Sequence, residues 1–332
     1  MSGAAAVQTM LITGATGFVG SHVIEVAGGF GLRMRALVRK RADAARLAEH
    51  GFECVIGALE DAAAVRDAVA GADAILHLAA ATKARTPEEY QRANVAGTQA
   101  VIDALLDASP RPRRLVYLSS LAAVGPPVNG RPVTRADTPR PLTTYGRTKL
   151  AGEQVCEAVA DRVQVAILRA PAVYGPRDRD VFSFFRLARL GVVPLPRAAT
   201  GRLQMVHARD LARALLLAGI SAEARGVYHV AEARSYGWEE MAHMVGSAIG
   251  KPVRVIRVPD PVIVAAARAS ETITGLMGKS TIFNRDKANE LLAPGWLCET
   301  DLARRDFGFE AQIPLQEGFN ETANWYKRHG WL

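Results

Sequence analysis

Met10-Leu11-Ile12-Thr13-Gly14-Ala15-Thr16-Gly17-Phe18-Val19-Gly20 is the stretch from which the architecture of this chain can be inferred. An apolar run precedes the glycines, which are spaced G-x-x-G-x-x-G, and an amphipathic segment follows them. In such a strand-to-helix turn the first glycine allows the tight bend. The second lets backbone N–H groups approach a pyrophosphate, and the third lets helix and strand pack closely. Because the new helix N-terminus also favours negative charge, the pattern predicts a dinucleotide-binding turn.

Strand-like and helix-like segments alternate after this turn. Strands are predicted at residues 32–38, 52–56, 74–78, 114–119 and 163–168, and helices at 42–50, 61–70, 87–108 and 143–160. Such alternation implies parallel strands joined by right-handed crossovers. We therefore expect an α/β protein with a doubly wound parallel sheet of the Rossmann type.

The rhythm changes at Pro171, where proline and glycine become frequent. We predict a dinucleotide-binding domain over residues 1–170 and a smaller C-terminal substrate-binding lobe over residues 171–202 and 232–332. Residues 203–231 are expected to return to the large domain. The lobe should lie over the carboxyl ends of the strands, where ligands of open α/β sheets bind.

The composition excludes several classes of partner. Of the 332 residues 49% are hydrophobic, which is ample for a large core, and the net charge of +8 comes from scattered basic residues. Without a block of like charges we expect a solvated basic surface and no nucleic-acid partner. The cysteines at 54, 156 and 298 suit free thiols in a reducing compartment and have no metal-like spacing, so no metal site is predicted.

Neither a signal peptide nor a membrane span is predicted. Residues 1–8 lack a charged start followed by an apolar core. The apolar run at 262–267 is far shorter than the roughly 20 residues that cross a bilayer. We therefore expect a cytoplasmic protein.

Three polar residues are candidates for catalysis. Tyr145 and Lys149 are four residues apart at the start of a predicted helix, so both project from one face. A tyrosine is a useful acid or base only if its pKa is lowered, and a nearby ammonium does that. Ser120 follows the fifth strand, where its hydroxyl could hydrogen-bond a substrate oxygen on which charge develops.

Together with further segments, these residues resemble the extended short-chain dehydrogenase/reductases of the NAD(P)-dependent epimerase/dehydratase type. That family includes sugar-nucleotide epimerases, dihydroflavonol reductases and 3β-hydroxysteroid dehydrogenases, and the last two branches are the most similar. The additional matching segments are residues 73–80, 94–98, 168–176, 207–210 and 324–331.

The resemblance implies a role for each catalytic candidate. Tyr145 would exchange a proton with the substrate oxygen, and Lys149 would hold the nicotinamide ribose and depress the pKa of Tyr145. Ser120 would orient the substrate oxygen, with Ser119 as second choice. Asn94 would support the lysine through its own helix.

The same resemblance implies a set of cofactor-binding positions. They are Gly14, Thr16, Gly17, Phe18, Val19, Gly20, Arg39, Leu59, Leu78, Ala79, Ala80, Ser119, Tyr145, Lys149, Pro171, Ala172 and Val173. His77 lies within an apolar strand and is interpreted as a structural histidine. Ala58 stands where the family often has an acid, so a contact of that acid with adenine is not expected here.

The end of the second strand bears on the choice of cofactor. NAD-binding proteins commonly place an acid there, which accepts a hydrogen bond from the ribose 2′-hydroxyl. This chain has Arg39, Lys40 and Arg41 and no acid before Asp43. Since the planar guanidinium of Arg39 could grip a 2′-phosphate, NADP(H) is favoured, and NAD(H) is the alternative.

Two positions argue against a nucleotide-sugar substrate. Ala172 and Leu203 stand where related epimerases have an asparagine and a diphosphate-binding arginine, although the neighbouring Arg202 could substitute. The apolar segments 181–185, 192–195 and 276–277 could line a hydrophobic pocket, and the alternative is that most of them form the core of the lobe. We therefore predict an NADP(H)-dependent oxidoreductase that interconverts an alcohol and a ketone or aldehyde on a largely hydrophobic small molecule.

Two alternatives remain open. One is a nucleotide-sugar epimerase/dehydratase with tightly bound NAD. The other is a non-catalytic dinucleotide-binding protein, against which the presence of Ser120, Tyr145 and Lys149 argues. A homodimer could form through the helices at 87–108 and 143–160.

Overall fold

A seven-stranded parallel sheet forms the centre of the protein in the computed structural model, which describes residues 9–128, 130–276 and 284–332. The strands are β1 (Thr9–Thr13), β2 (Arg33–Val38), β3 (Glu53–Ile56), β4 (Ala74–His77), β5 (Arg114–Ser120), β6 (Gln164–Ala170) and, later in the chain, β11 (Gly226–His229). Their order across the sheet is β11-β6-β5-β4-β1-β2-β3. The strand order reverses beside β1, so the predicted doubly wound sheet is confirmed.

Helices cover both faces of the sheet, and each layer has its own hydrophobic core. One layer contains α1 (Phe18–Ala27), α2 (Arg41–Ala48) and α8 (Ala208–Ile220), and the other contains α3 (Ala62–Val69), α5 (Gly97–Asp107) and α6 (Thr144–Glu157). Every residue of β1 and β4 is buried, as expected of parallel strands that are covered on both faces.

The single helix predicted at 87–108 is interrupted. It consists of α4 (Pro87–Gln91), a π-helical turn over Arg92–Ala96, and α5. The wide turn contains Asn94, whose side chain bonds Ala81 and Thr148 and is therefore drawn towards α6. Turns of this kind are frequent at functional sites.

The smaller lobe combines short strand pairs with helices around a third core. Its strands are β7 (Ala172–Tyr174), β8 (Val192–Pro196), β9 (Arg202–Leu203), β10 (Met205–His207), β12 (Tyr236–Gly237) and β13 (Arg254–Val258). Its helices are α7 (Phe182–Arg189), α9 (Trp238–Ile249), α10 (Asp260–Leu276), α11 (Arg285–Leu292) and α13 (Leu315–Arg328).

One helix from the predicted lobe region packs elsewhere. The helix α12 (Asp301–Phe307) belongs to the first core of the large unit, because the ring of Phe307 meets that of Tyr228 on β11 at 5.0 Å. The assignment of all of residues 232–332 to the lobe is therefore wrong at α12. The predicted return to the large domain at residue 203 is also too early, because Leu203 and Met205 belong to the core of the lobe. The other boundaries stay a prediction.

Several expectations concern residues or assemblies that the structure leaves undescribed. Residues 1–8 and Met277 lie outside the described part of the chain. Within that part, no helix is both long and apolar enough to cross a bilayer. A homodimer through α4, α5 and α6 stays a prediction.

Candidate active site

A cleft of about 980 Å³ lies above the carboxyl ends of β1, β4, β5 and β6, between the sheet and the smaller lobe. Most of the residues expected to bind cofactor or substrate line it. They are Gly14, Thr16, Gly17, Phe18, Val19, Gly20, Leu78, Ala80, Ser119, Ser120, Tyr145, Lys149, Pro171, Ala172 and Val173. The topology thus brings together residues from five separate stretches of sequence.

The glycine turn has the geometry that a dinucleotide requires. Gly14 has a φ of +80°, and a Cβ there would lie 2.7 Å from the backbone nitrogen of Ala79. A Cβ at Gly20 would overlap the carbonyl oxygen of Gly14. Gly17 precedes α1 and provides no side-chain cap, so the first amides of the helix are available to a pyrophosphate. These residues fit a nicotinamide dinucleotide.

Four of the predicted residues lie outside the cleft lining. Ala79 lies against Gly14 of the glycine turn, and its amide donates a hydrogen bond to Thr13 Oγ1 at 3.3 Å. Leu59 is half-buried and its side chain lies over Gly97 on α5. Arg39 is exposed at the end of β2. The fourth residue, Asn94, is fully buried.

Tyr145 lies in the first turn of α6, which Thr143 caps by accepting a hydrogen bond from the amide of Gly146 at 2.9 Å. The Tyr145 side chain is half-buried on the cleft wall and hydrogen-bonds Ser120. Burial raises the pKa of Tyr145, and the bond with Ser120 opposes that rise. The predicted depression of the Tyr145 pKa is therefore wrong for this arrangement, because burial outweighs the stabilisation of the phenolate.

Lys149 is 1% exposed, so its ammonium is removed from water. Its Nζ donates to the carbonyl oxygen of Leu118 at 2.7 Å and lies 4.0 Å from the ring centroid of Tyr117. Burial lowers the pKa of Lys149 to about 7, although the charge of Glu153 favours the protonated form. Lys149 can therefore lose or hold its proton near neutral pH.

Glu153 is a site residue that sequence reasoning missed. It lies one helical turn after Lys149 and forms two hydrogen bonds with Arg169, at 3.0 Å and 2.7 Å. Both side chains are almost fully buried, and Ser119 donates its hydroxyl to the same carboxylate. The i, i+4 spacing from Lys149 was the available signal. This network ties α6 to β5 and β6, and it directs Ser119 away from Tyr145.

Asn94 positions the same helix from its other side. Its Oδ1 accepts from the amide of Ala81 at 2.7 Å, and its Nδ2 donates to Thr148 Oγ1 at 3.0 Å. Thr148 is the residue before Lys149 on α6. Asn94 therefore holds the loop after β4 against the turn of α6 that carries Lys149. Asn94 acts as a positioning residue in this structure.

His77 has the structural role that its sequence context predicts. Its two ring nitrogens bond Thr13 Oγ1 at 2.7 Å and Thr98 Oγ1 at 3.0 Å. Burial lowers the pKa of His77 to about 3, so the ring is neutral. The histidine therefore links β4 to β1 and α5, and its interpretation as a structural residue is confirmed.

The residues of the smaller lobe that line the cleft are not the apolar segments that the sequence suggested. The segments 181–185 and 192–195 belong to the core of the lobe, because their apolar side chains pack against α9 and α13. Their prediction as pocket-lining residues is wrong. The wall instead carries α11, where Asp286 accepts from the amide of Thr144 at 2.8 Å, together with Trp238, Leu291 and Trp296.

The lysine and arginine side chains on the described cleft wall are already engaged. Ion pairs join Arg46 to Asp43, Lys83 to Asp180, Arg177 to Glu25 and Lys287 to Glu290. Arg179 lies over the ring of Trp331 at 5.7 Å, and Lys149 is held as described above.

A glycine turn and a Tyr–Lys pair on one cleft of a doubly wound sheet define a dinucleotide-dependent oxidoreductase. Residues 10–231 match the model of the NAD dependent epimerase/dehydratase family, and the chain belongs to that family. It is an NAD(P)-dependent oxidoreductase of the extended short-chain dehydrogenase/reductase type, as the sequence predicts.

Named relatives include both reductases and sugar-nucleotide enzymes. The ceramide reductase of Caulobacter vibrioides is 32% identical over 97% of this chain and 95% of that protein. The 4-hydroxy-2-methyl-3-oxo-4-farnesyl-3,4-dihydroquinoline-1-oxide ketoreductase of Stigmatella aurantiaca is 27% identical over 93% and 94%. Among solved structures, MoeE5 in complex with UDP-glucuronic acid and NAD is 25% identical, with a TM-score of 0.75 over 97% of this chain and 99% of that one.

Replacing Glu153 tests the buried network. Glu153→Gln leaves the Arg169 guanidinium buried without its counter-charge, so we expect the free energy of unfolding to fall by roughly 3 kcal/mol. Urea unfolding measures this change. The matched control is Glu157→Gln, one turn further along α6 and exposed, which should stay within about 0.5 kcal/mol of the unmodified protein. Equal unfolding midpoints for the two variants would contradict the network's structural role.

Proposed function

We propose that this protein is an NADP(H)-dependent oxidoreductase that interconverts an alcohol and a ketone or aldehyde on a largely hydrophobic small molecule. The observation that carries the proposal is that the lysine and arginine side chains of the cleft are already engaged by other groups of the protein. Within the described residues the lysine and arginine side chains of the cleft are paired with acids, stacked or buried, so none of these cations is left uncompensated for a substrate diphosphate. Burying phosphate oxygens without charged or donor partners would be costly.

The contacts of the Arg202 side chain also argue against a nucleotide-sugar substrate. It could have substituted for the arginine missing at Leu203, but its Nε donates to Ser235 Oγ at 3.0 Å and its guanidinium lies 3.6 Å from Glu240. Leu203 itself lines the cleft with an apolar side chain, and so does Ala172. Both positions favour an apolar substrate over a nucleotide sugar.

The chemistry follows from the groups around Tyr145. When bound, the nicotinamide supplies or accepts a hydride. In the reducing direction the substrate C=O π bond breaks, its carbon gains the hydride, and its oxygen takes the proton of the Tyr145 hydroxyl. Ser120 donates a hydrogen bond to the oxygen as charge develops, and the charge of protonated Lys149 offsets part of the cost that burial imposes on the resulting phenolate. The oxidising direction reverses each transfer.

The names of the relatives agree with a lipophilic substrate. Ceramide is a lipid, and the substrate in the ketoreductase's name carries a farnesyl chain. The complex of MoeE5 with UDP-glucuronic acid supports the other candidate, a nucleotide-sugar epimerase with bound NAD. A screen of steroid, flavonoid and acyl ketones alongside UDP-sugars distinguishes them. Turnover of UDP-sugars alone would overturn the proposal.

The end of β2 supports NADP(H) over NAD(H). Arg39 and Lys40 are exposed, and neither forms an ion pair with any residue that the structure describes. The nearest following acid, Asp43, is engaged by Arg46 at 3.4 Å. Asp61 is also occupied, since it caps α3 by accepting from the amides of Ala63 and Ala64. At the end of β2 a 2′-phosphate would therefore meet the basic side chains of Arg39 and Lys40, while Asp43 and Asp61 are already engaged.

Removing the Tyr145 hydroxyl tests the proton transfer. We expect Tyr145→Phe to lower kcat with the best ketone by about 10²–10⁴-fold, the usual contribution of a positioned acid or base. Binding of NADPH, followed by fluorescence, should be nearly unchanged. The control is Tyr90→Phe, whose ring lies 6.3 Å from that of Tyr145 and whose hydroxyl bonds a backbone carbonyl, and it should keep most activity. Retained turnover in Tyr145→Phe would refute the assignment.

Reversing one charge tests cofactor preference. We expect Arg39→Asp to lower kcat/KM for NADPH at least about tenfold, because a carboxylate repels a 2′-phosphate, while NADH is affected little. Steady-state kinetics with both cofactors measures the ratio. Arg66→Asp, an equally exposed arginine on α3, controls for net charge. An unchanged NADPH-to-NADH ratio in Arg39→Asp would remove the basis for NADP(H).

A further inference from the structure

An apolar and basic surface lies at the far side of the smaller lobe, where α7 ends beside β8 and β13. Leu190 is 74% exposed, which is the highest value among the large hydrophobic residues of the described chain, and Ile256 is 46% exposed. Soluble proteins usually bury such side chains when they cluster. We call this surface the α7–β13 patch, and its members are Arg186, Leu187, Arg189, Leu190, Lys251, Arg254 and Ile256.

Backbone contacts make the patch continuous. Lys251 Nζ donates to the carbonyl oxygen of Arg189 at 3.0 Å, and the amide of Arg254 donates to Gly191 at 2.9 Å. Ile256 is paired in register with Pro194 of β8, which is also exposed. The inward residues of β8 are buried in the core of the lobe, so the opposite face of this strand pair is turned outward.

The charge of the patch is uncompensated. Arg186, Arg189, Lys251 and Arg254 are all exposed, and none forms an ion pair with an acid in the described part of the chain. At its margin, by contrast, Arg257 is paired with Glu239 at 3.0 Å. The patch therefore offers four free cations around exposed apolar side chains, which is the complement of an anionic surface with an apolar interior.

Exposed apolar side chains are also found on the helix that follows the patch in the chain. After β13 the chain enters α10, on which Val262 is 53% exposed and Ile273 is 59% exposed. The acids of this helix are engaged, since Asp260 accepts from the amide of Ala198 and Glu271 lies 3.5 Å from Arg285. Arg285 begins α11, the helix that lines the cleft near Tyr145. Along the chain, α10 therefore lies between the patch and the helix that lines the cleft.

We propose that the α7–β13 patch docks the protein on an anionic lipid bilayer. The four cations lie at the level of the headgroups, while Leu190 and Ile256 enter the boundary with the acyl chains. Long basic side chains can span that boundary with their aliphatic stems in the apolar layer. Each basic residue near an anionic leaflet strengthens binding, so the attachment is peripheral and depends on salt.

Vesicle co-sedimentation of the full chain tests the proposal. The vesicles are phosphatidylcholine alone and phosphatidylcholine mixed with phosphatidylglycerol. The variants are Arg189→Glu/Arg254→Glu for charge and Leu190→Gln/Ile256→Gln for apolar contact. The matched control is Arg66→Glu/Arg162→Glu, which makes the same change in net charge at two exposed arginines of the large unit. Circular dichroism and NADPH binding verify that each variant is folded.

We expect the unmodified protein to bind the anionic vesicles and to bind neutral ones far more weakly. The patch charge reversal should weaken anionic binding about tenfold or more, the apolar variant should also weaken it, and the control should bind as the unmodified protein does. Absence of binding, undiminished binding of the charge reversal, or an equal loss in the control would overturn the proposal. So would a dimer that Leu190→Gln/Ile256→Gln dissociates in sedimentation velocity, since the patch would then bind a second copy. Vesicle binding requires no turnover, so these outcomes leave the proposed oxidoreductase activity untested and intact.

Discussion

The burial of the Lys149 ammonium is the constraint on which the site depends. A cation removed from water is stable only if nearby groups replace its hydration. Here the Leu118 carbonyl, the face of Tyr117 and the charge of Glu153 do so. Glu153 in turn is held by Arg169. Because these groups come from β5, β6 and α6, placing the ammonium correctly also fixes the helix that carries Tyr145.

The other half of the cleft is fixed by close backbone contact. Gly14 approaches Ala79 so tightly that a side chain there would collide with the loop after β4. That loop is bonded by Asn94, which also reaches Thr148 beside the lysine. The glycine turn and α6 are therefore linked through the buried side chain of Asn94. Their relative position can persist without a direct contact between them, which is what catalysis by preorganised groups requires.

Much of this arrangement could be predicted from the sequence. The glycine spacing and the alternation of strands and helices are local signals, so the sheet, the turn and the placement of Tyr145 and Lys149 followed from them. The pairing of Glu153 with Arg169 depends on a contact between α6 and β6 that no local pattern encodes. The segments 181–185 and 192–195 illustrate the opposite error, because apolar residues predict burial without telling whether a core or a ligand buries them. The packing of α12 against β11 likewise depends on a contact between residues that are far apart in the sequence, so no local pattern predicts it.

The central claim is that Tyr145 and its neighbours reduce a carbonyl on an apolar molecule at this cleft. Deuteride transfer tests it most directly. NADPH labelled with deuterium on one face of nicotinamide C4 is incubated with the protein, hydrophobic ketones and UDP-sugars, and the products are analysed by mass spectrometry. The account predicts one deuterium on the new carbinol carbon, transferred from a single face of the cofactor. Products without deuterium, or label recovered only in nucleotide sugars, would contradict it.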